Sequence, residues 1–336
     1  MPPVPPPNLF DFATSELSQD AFLCWLIAWA DPSLADADAT LHRTGRALLS
    51  QLLAKHGLEL PGSGSAASAT SAASVKVSRQ FEHIDVLATI GETIVLAIED
   101  KTDTVNHSQQ LDRYRDVVEE YFPDRQHALI YLKTGDQSSY RAVEAKGWRV
   151  FDRTDLLAIL RPARPQTTNA ILVDFLDHLE GIERQVRAFA TAPPSDWDAM
   201  AWKGFFGALR DELDGTWAYV PNPTGGFMGF WWGFNEIAGG ELYLQLEQDK
   251  LVVKVAVDDR ARRREIRDAW VTRALAELSS MGFERPARLG HGTYMTVAVL
   301  DADYRHHENG RLDLERTLAQ LRQATCEVAR LARAQS

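Results

Sequence analysis

Two cysteines, Cys24 and Cys326, are all that 336 residues contain, too few for a disulfide framework or a cysteine-held zinc cluster. No run reaches the roughly 18 consecutive apolar residues of a membrane-spanning helix, so no membrane partner is expected. The opening "MPPVPPPNLF" lacks the basic start and apolar stretch of a secretory signal and reads as a short polyproline arm. The glycines of "PTGGFMGFWWGF" (223–234) are followed by no Walker lysine, which makes them a weak signal for a phosphate cradle. No Ser/His/Asp or Cys/His arrangement stands out, and there is no internal repeat. A reducing, cytoplasmic setting is the default. What is present is ordinary for a globular chain: 45% hydrophobic and 25% charged residues, enough to bury a sizeable core. A net charge of −11 argues against indiscriminate binding to phosphate backbones. One basic stretch remains, "RARRREIR" at 260–267. Its Arg262, Arg263, Arg264 and Arg267 are candidates to track a nucleic-acid backbone, or else form a solvated helix face interleaved with acids.

The pattern predicts two parts. "SELSQDAFLCWLIAWAD" (15–31) has the apolar width of a largely buried helix, and a second helix follows over 40–56. "PGSGSAASATSAAS" (61–74) has no large apolar residue and reads as a flexible loop. Strands are predicted at 75–81, 83–90, 93–100, 127–132 and 148–152, with helices at 105–121, 138–146, 153–160 and 166–190. This alternation is that of an α/β domain, a sheet with helices on its faces, assigned to residues 1–190. "TAPPSD" marks a linker at 191–196. Residues 197–336 differ in texture: a helix (197–213), aromatic-rich strands with turns at Gly239-Gly240 and Gln248-Asp249, a basic helix (259–280), a strand (293–300) and a last helix from about 307. This reads as a separate α+β domain of unassigned role. His306, His307 and Glu308 are read as a solvated helix start rather than metal ligands, because adjacent helical residues point in different directions.

The stretch "IDVLATIGETIVLAIEDK" (84–101) carries the chemistry. It alternates as two strands around Gly91. Side chains alternate between faces along a strand, so matching the apolar sets Ile84, Val86, Ala88, Ile90 and Ile94, Leu96, Ile98 pairs 90 with 94, 88 with 96 and 86 with 98. Asp85 then falls opposite Glu99. Lys101 lies on the face of Glu99, and Asp100 points to the other side. Two carboxylates about 5 Å apart resist joint ionisation. A divalent cation removes that conflict, and oxygen ligands suit Mg²⁺. The bland alternative is a salt bridge at a strand end.

An Asp, then Glu-x-Lys across a hairpin and a following helix, resembles the PD-(D/E)XK nuclease superfamily. The likeness extends beyond the three residues to Glu16 ahead of "FLCWLIAWAD", "IEDK" (98–101), "QLDRY" (110–114) and "LIYL" (129–132). Together these resemble a bacterial branch with an early helix glutamate and a QLxxY element, over residues 8–160. Asp100 stands where the family more often has Asn, and Ile84 where it has the proline. The bare pattern recurs by chance on the order of once in such a chain; its placement on a hairpin carries the weight.

The resemblance implies a restriction-endonuclease-like mixed sheet flanked by helices. It makes Asp85 and Glu99 metal ligands for Mg²⁺ or Mn²⁺, and has Lys101 position or help deprotonate the attacking water. Glu16 would hold a water of the metal shell or a second metal, or simply complement the helix dipole. Gln110 would reach the metal's water or the scissile phosphate, or be an ordinary surface glutamine; Tyr114 is packing. The first expectation built on the resemblance is a cytoplasmic endonuclease that hydrolyses DNA in bacterial defence against foreign DNA. Two alternatives stand: a non-catalytic subunit that keeps the nuclease fold, and an RNA-cleaving nuclease. Restraint through a homo-oligomer, a regulatory partner protein or a small-molecule trigger is expected, since a free nuclease endangers its host.

Overall fold

The computed structural model describes residues 7–62, 73–102, 109–222 and 225–334. The loop expected at 61–74 and the helix start expected at 105–108 fall wholly or mostly outside these residues. The chain divides into two compact units, Met1–Glu183 and Arg184–Ser336. The division lies inside a helix, Ala170–Arg187, ahead of the expected boundary at 190.

In the first unit, α1 (Glu16–Ala28) and α2 (Ala39–Ala54) precede the hairpin strands β1 (Val75–Phe81), β2 (Ile84–Ile90) and β3 (Ile94–Lys101). Then come α3 (Gln110–Tyr121), β4 (Gln126–Lys133), α4 (Arg141–Glu144), β5 (Arg149–Asp152), α5 (Arg153–Leu160) and α6 (Ala170–Arg187). The sheet order is β1-β2-β3-β4-β5. The first three strands run antiparallel and the last three parallel, giving the expected mixed sheet between helices. Each parallel step needs a crossover, which α3 and α4 supply.

Every residue of β3 is buried, because the central strand is covered on both faces; its apolar run Ile94–Ile98 reads as such a strand must. Val86, Ala88, Ile90, Leu96 and Ile98 pack with α1, α2, α5 and α6. Leu87, Val95 and Ala97 pack with Leu111, Tyr114 and Val118 of α3. The register is 86 with 98, 88 with 96 and 90 with 94, as the alternation requires. Ile84 departs from its expected set and joins the α3 layer. The backbone is left-handed at Gln80, Glu82 and His83, and this turns the strand end away from regular alternation.

The second unit opens with α7 (Ala199–Leu213), followed by β6 (Thr216–Val220), β7 (Phe227–Ile237), β8 (Gly240–Glu247), β9 (Lys250–Ala256), α8 (Arg263–Leu278), β10 (Phe283–Glu284) and β11 (Tyr294–Leu300). A small hairpin, β12 (His307–Glu308) and β13 (Arg311–Leu312), leads into α9 (Leu314–Arg333). Six strands form an antiparallel sheet ordered β10-β11-β9-β8-β7-β6, and α7, α8 and α9 pack on one face of it. The last helix therefore starts later than its expected position near 307. Asn309 and Gly310, both at positive φ, make the turn of that hairpin, and the Asp313 side chain caps α9 by accepting from Arg316 N at 3.0 Å.

The crossing of α1 and α2 depends on Gly45. A Cβ there would lie 2.4 Å from the carbonyl oxygen of Leu26, closer than any methyl can sit. Gly45→Ala should force the helices apart and cost about 1–3 kcal/mol, measured as a lowered urea midpoint at unchanged slope; an unaltered midpoint would contradict this packing.

Candidate active site

The hairpin register sets the site. One step beyond the Val86–Ile98 pair, Asp85 lies near enough to Glu99 for its charge to act on that carboxyl. Asp85 is held from two sides: Asp100 N donates to its Oδ2 at 2.9 Å and Gln80 Nε2 to its Oδ1 at 3.1 Å. Glu99 is completely buried, and neither of its oxygens has a directed hydrogen bond. Its partner is an ion pair, with Lys101 Nζ 2.5 Å from Oε1. The same ammonium donates to the Asp100 carbonyl oxygen at 3.0 Å and lies 3.6 Å from Glu16 Oε2. Glu16 reaches the strand end from α1, where its Oε1 accepts from Thr102 N at 3.1 Å.

Burial, followed by the charge of Asp85, pushes the Glu99 carboxyl up to about 8 despite the nearby ammonium. For Lys101, burial works against the charged form but is outweighed by Glu99, with Glu16 and Asp85 adding, so its pKa rises. The ammonium is thus fixed in its charged state. Behind it on β4, Lys133 pairs with Lys101 in register and donates to Thr102 O at 2.6 Å.

A second acid layer lies on the opposite side of β3, where the sequence reading placed Asp100 without a partner. Gln19 Nε2 donates to Asp100 Oδ1 at 2.5 Å, and Gln19 Oε1 accepts from Thr134 Oγ1 at 2.9 Å. Asp20 also lies in this layer. Burial and the charge of Asp85 raise it to about 6; burial, then Asp20, raises Asp100 well above the carboxylate range. Asp20 Oδ1 and Asp100 Oδ2 are buried and meet no donor when both acids are ionised. A proton held between the two carboxyls resolves that conflict. Gln19, Asp20 and Thr134 were missed from the sequence. The signal for Gln19 and Asp20 is the spacing 16, 19, 20 on α1, which puts three polar side chains on one face of a helix otherwise buried through Phe22, Leu23, Leu26 and Ile27.

Asp85, Glu99, Lys101 and Glu16 are therefore brought together. Gln110 begins α3, the helix over the Glu99 side of the sheet, but its described hydrogen bond is from Nε2 to Tyr114 Oη at 3.0 Å, and its buried Oε1 has no partner among the described residues. The four arginines belong to the second unit. Arg263 bonds Val257 O and Thr293 Oγ1, and Arg267, largely buried, bonds Gly290 O and Asp268. Arg262 sits at the start of α8, while Arg264 is 89% exposed. Two of the four are thus spent on their own unit's backbone.

Among the described residues no three His, Cys, Asp or Glu side chains are grouped to hold a metal. The donor set nevertheless fits one hard cation. Glu99 Oε1 and the Asp100 carbonyl oxygen already converge on the Lys101 ammonium, Glu99 has oxygens without directed donors, and all these ligands are oxygens, as Mg²⁺ prefers. Asp85 and Glu99 are the residues that would hold it.

Because Glu99 keeps its proton in the folded chain up to about 8 against 4.5 for the free carboxyl, the folded state binds more protons between these values. This contribution to stability is complete below about 4.5 and is lost as pH rises to about 8. In EDTA, the melting temperature should fall across that window, and Glu99→Gln should flatten the fall. An identical pH profile in the variant would show that Glu99 ionises normally.

No helix among the described residues is long and apolar enough to cross a membrane. Comparison with curated proteins and with solved structures returns no match. Residues 7–177, just over half of the chain, match the family description "PD-(D/E)XK nuclease superfamily". With its mixed five-stranded sheet and the Asp85, Glu99, Lys101 cluster at the strand ends, this chain belongs to the PD-(D/E)XK nuclease superfamily.

Proposed function

We propose that this chain is an endonuclease dependent on Mg²⁺ or Mn²⁺, hydrolysing phosphodiester bonds of DNA in defence against foreign DNA. The observation that supports it most is the convergence of Glu99 and the Asp100 carbonyl on one cation, beside Asp85. A bound divalent ion supplies Lewis acidity toward the phosphate and a nucleophilic water near neutral pH.

The chain's own groups divide the remaining work. Asp85 and Glu99 hold the ion, with Asp85 oriented by the Asp100 and Gln80 donors. Glu99 must give up its proton to do so, which couples cation binding to pH. Lys101, displaced from Glu99, keeps its proton and acts as a donor. It orients the attacking water and stabilises negative charge on a phosphate oxygen. Glu16 anchors the strand end through Thr102 and offers Oε2 toward Lys101.

Plasmid, linear DNA and tRNA incubated with Mg²⁺, Mn²⁺ or EDTA test the reading. DNA should be cut with either ion and left intact in EDTA. Asp85→Ala, Glu99→Ala and Lys101→Ala should each lower the rate by about a hundredfold or more, with circular dichroism unchanged. Cleavage in EDTA, or full activity in all three variants, overturns the proposal. Cleavage of tRNA alone overturns DNA as the substrate.

A further inference from the structure

The six-stranded sheet of the second unit packs its helices on one face only. The other face holds a cavity of about 570 Å³, within the usual range for small-molecule sites. Alternation assigns its lining. Leu242, Leu244 and Leu246 of β8 enter the core, so Tyr243, Gln245 and Glu247 project to the opposite side; on β9, Lys254 does the same between the core residues Val253 and Val255.

The aromatic lining is built by an irregularity. Trp231 lies on the open face, paired with Gln245. Strict alternation would then return Phe234 to the core. The register instead shifts between Trp232 and Asn235, with Gly233 at φ +64°. An extra residue of this kind re-aims the side chains after it, and here it stacks Phe234 on Tyr243, with ring centroids 5.1 Å apart and planes at 21°. Phe234 and Tyr294 line the cavity and remain 51% and 68% exposed. Large rings left in water at a cavity mouth present stacking surfaces.

The polar groups define what would stack there. Gln245 and Tyr243 are 6% and 5% exposed, and both line the cavity. Gln245 Nε2 and Lys254 Nζ both approach Glu247 Oε1, at 3.1 and 3.2 Å. Among the described residues no hydrogen bond reaches Glu247 Oε2, Gln245 Oε1 or the Tyr243 hydroxyl, and none of the three is sealed from water. Two of these three groups are acceptors only, so the missing group is a donor. With Glu241 and Glu247 against the single Lys254 in the lining, a phosphate is unwelcome.

We propose that this cavity binds an uncharged planar heteroaromatic base carrying an exocyclic amino group, of the nucleobase class, stacked on the aromatic wall with its amino edge toward Glu247 and Gln245. The site is independent of the nuclease reading, and its test reads binding rather than cleavage.

Isothermal titration of the full chain with cytidine and uridine, which differ at that edge by amino against carbonyl, isolates the claim. Cytidine should bind saturably and uridine about tenfold more weakly, the usual value of one hydrogen bond to a charged acceptor. Phe234→Ala, at a half-exposed position that leaves the core intact, should weaken cytidine by about tenfold, as loss of a stacking ring does. Glu247→Gln should bring the two nucleosides together. No saturable heat with cytidine, adenosine or guanosine at millimolar concentration overturns the proposal. So does uridine binding as well as cytidine, unaltered affinity in Phe234→Ala, or tighter binding of cytidine triphosphate than of cytidine.

Discussion

A carboxylate sealed at the end of a covered strand is the constraint on which the first unit turns. Glu99 has no access to water and no directed donor for either oxygen. An isolated charge so placed would cost several kcal/mol, so the chain must bring a cation, keep the proton, or both. The Lys101 ammonium sits against Oε1, and burial together with the charge of Asp85 still pushes the carboxyl up to about 8. The Lys101 ammonium thus marks a position at which Glu99 Oε1 and the Asp100 carbonyl oxygen converge on a cation.

The strain is spread over two layers. Asp100 projects to the α1 side of β3, where Gln19 and Asp20 receive it, while its backbone amide holds Asp85. One residue therefore ties the helix that carries Glu16 to the Asp85 carboxylate. Thr134, at the end of the neighbouring strand, closes the chain of contacts through Gln19. Precise placement of a site requires such supporting contacts, and at this candidate site they come from the first helix and the sheet rather than from a loop.

How far this could be read from the sequence depended on whether a local period governed each feature. The β2–β3 register was legible because a shift of one residue would have turned both apolar sets to the wrong faces. Asp85, Glu99 and Lys101 came with it. The packing of Ile84 did not, since left-handed residues at Gln80, Glu82 and His83 broke the period next to the site. Asp20 was hidden because its partner Asp100 is distant in sequence, and alternation names a face without naming what covers it. In the second unit, Asn309-Gly310 is a turn signal that marks the β12–β13 hairpin and delays the last helix. The bulge at Gly233 left only a glycine within an aromatic run as its trace. The basic stretch at 260–267 showed charge but not that Arg263 and Arg267 turn back to their own backbone.

The most direct measurement is a crystal of the chain soaked in Mn²⁺ at pH 8 and examined by anomalous scattering. The account predicts one strong peak between Asp85 and Glu99, within coordination distance of an oxygen of each, with the Lys101 ammonium moved away from Glu99 Oε1. An ion bound elsewhere, or a Lys101–Glu99 pair unmoved in saturating manganese, would contradict it.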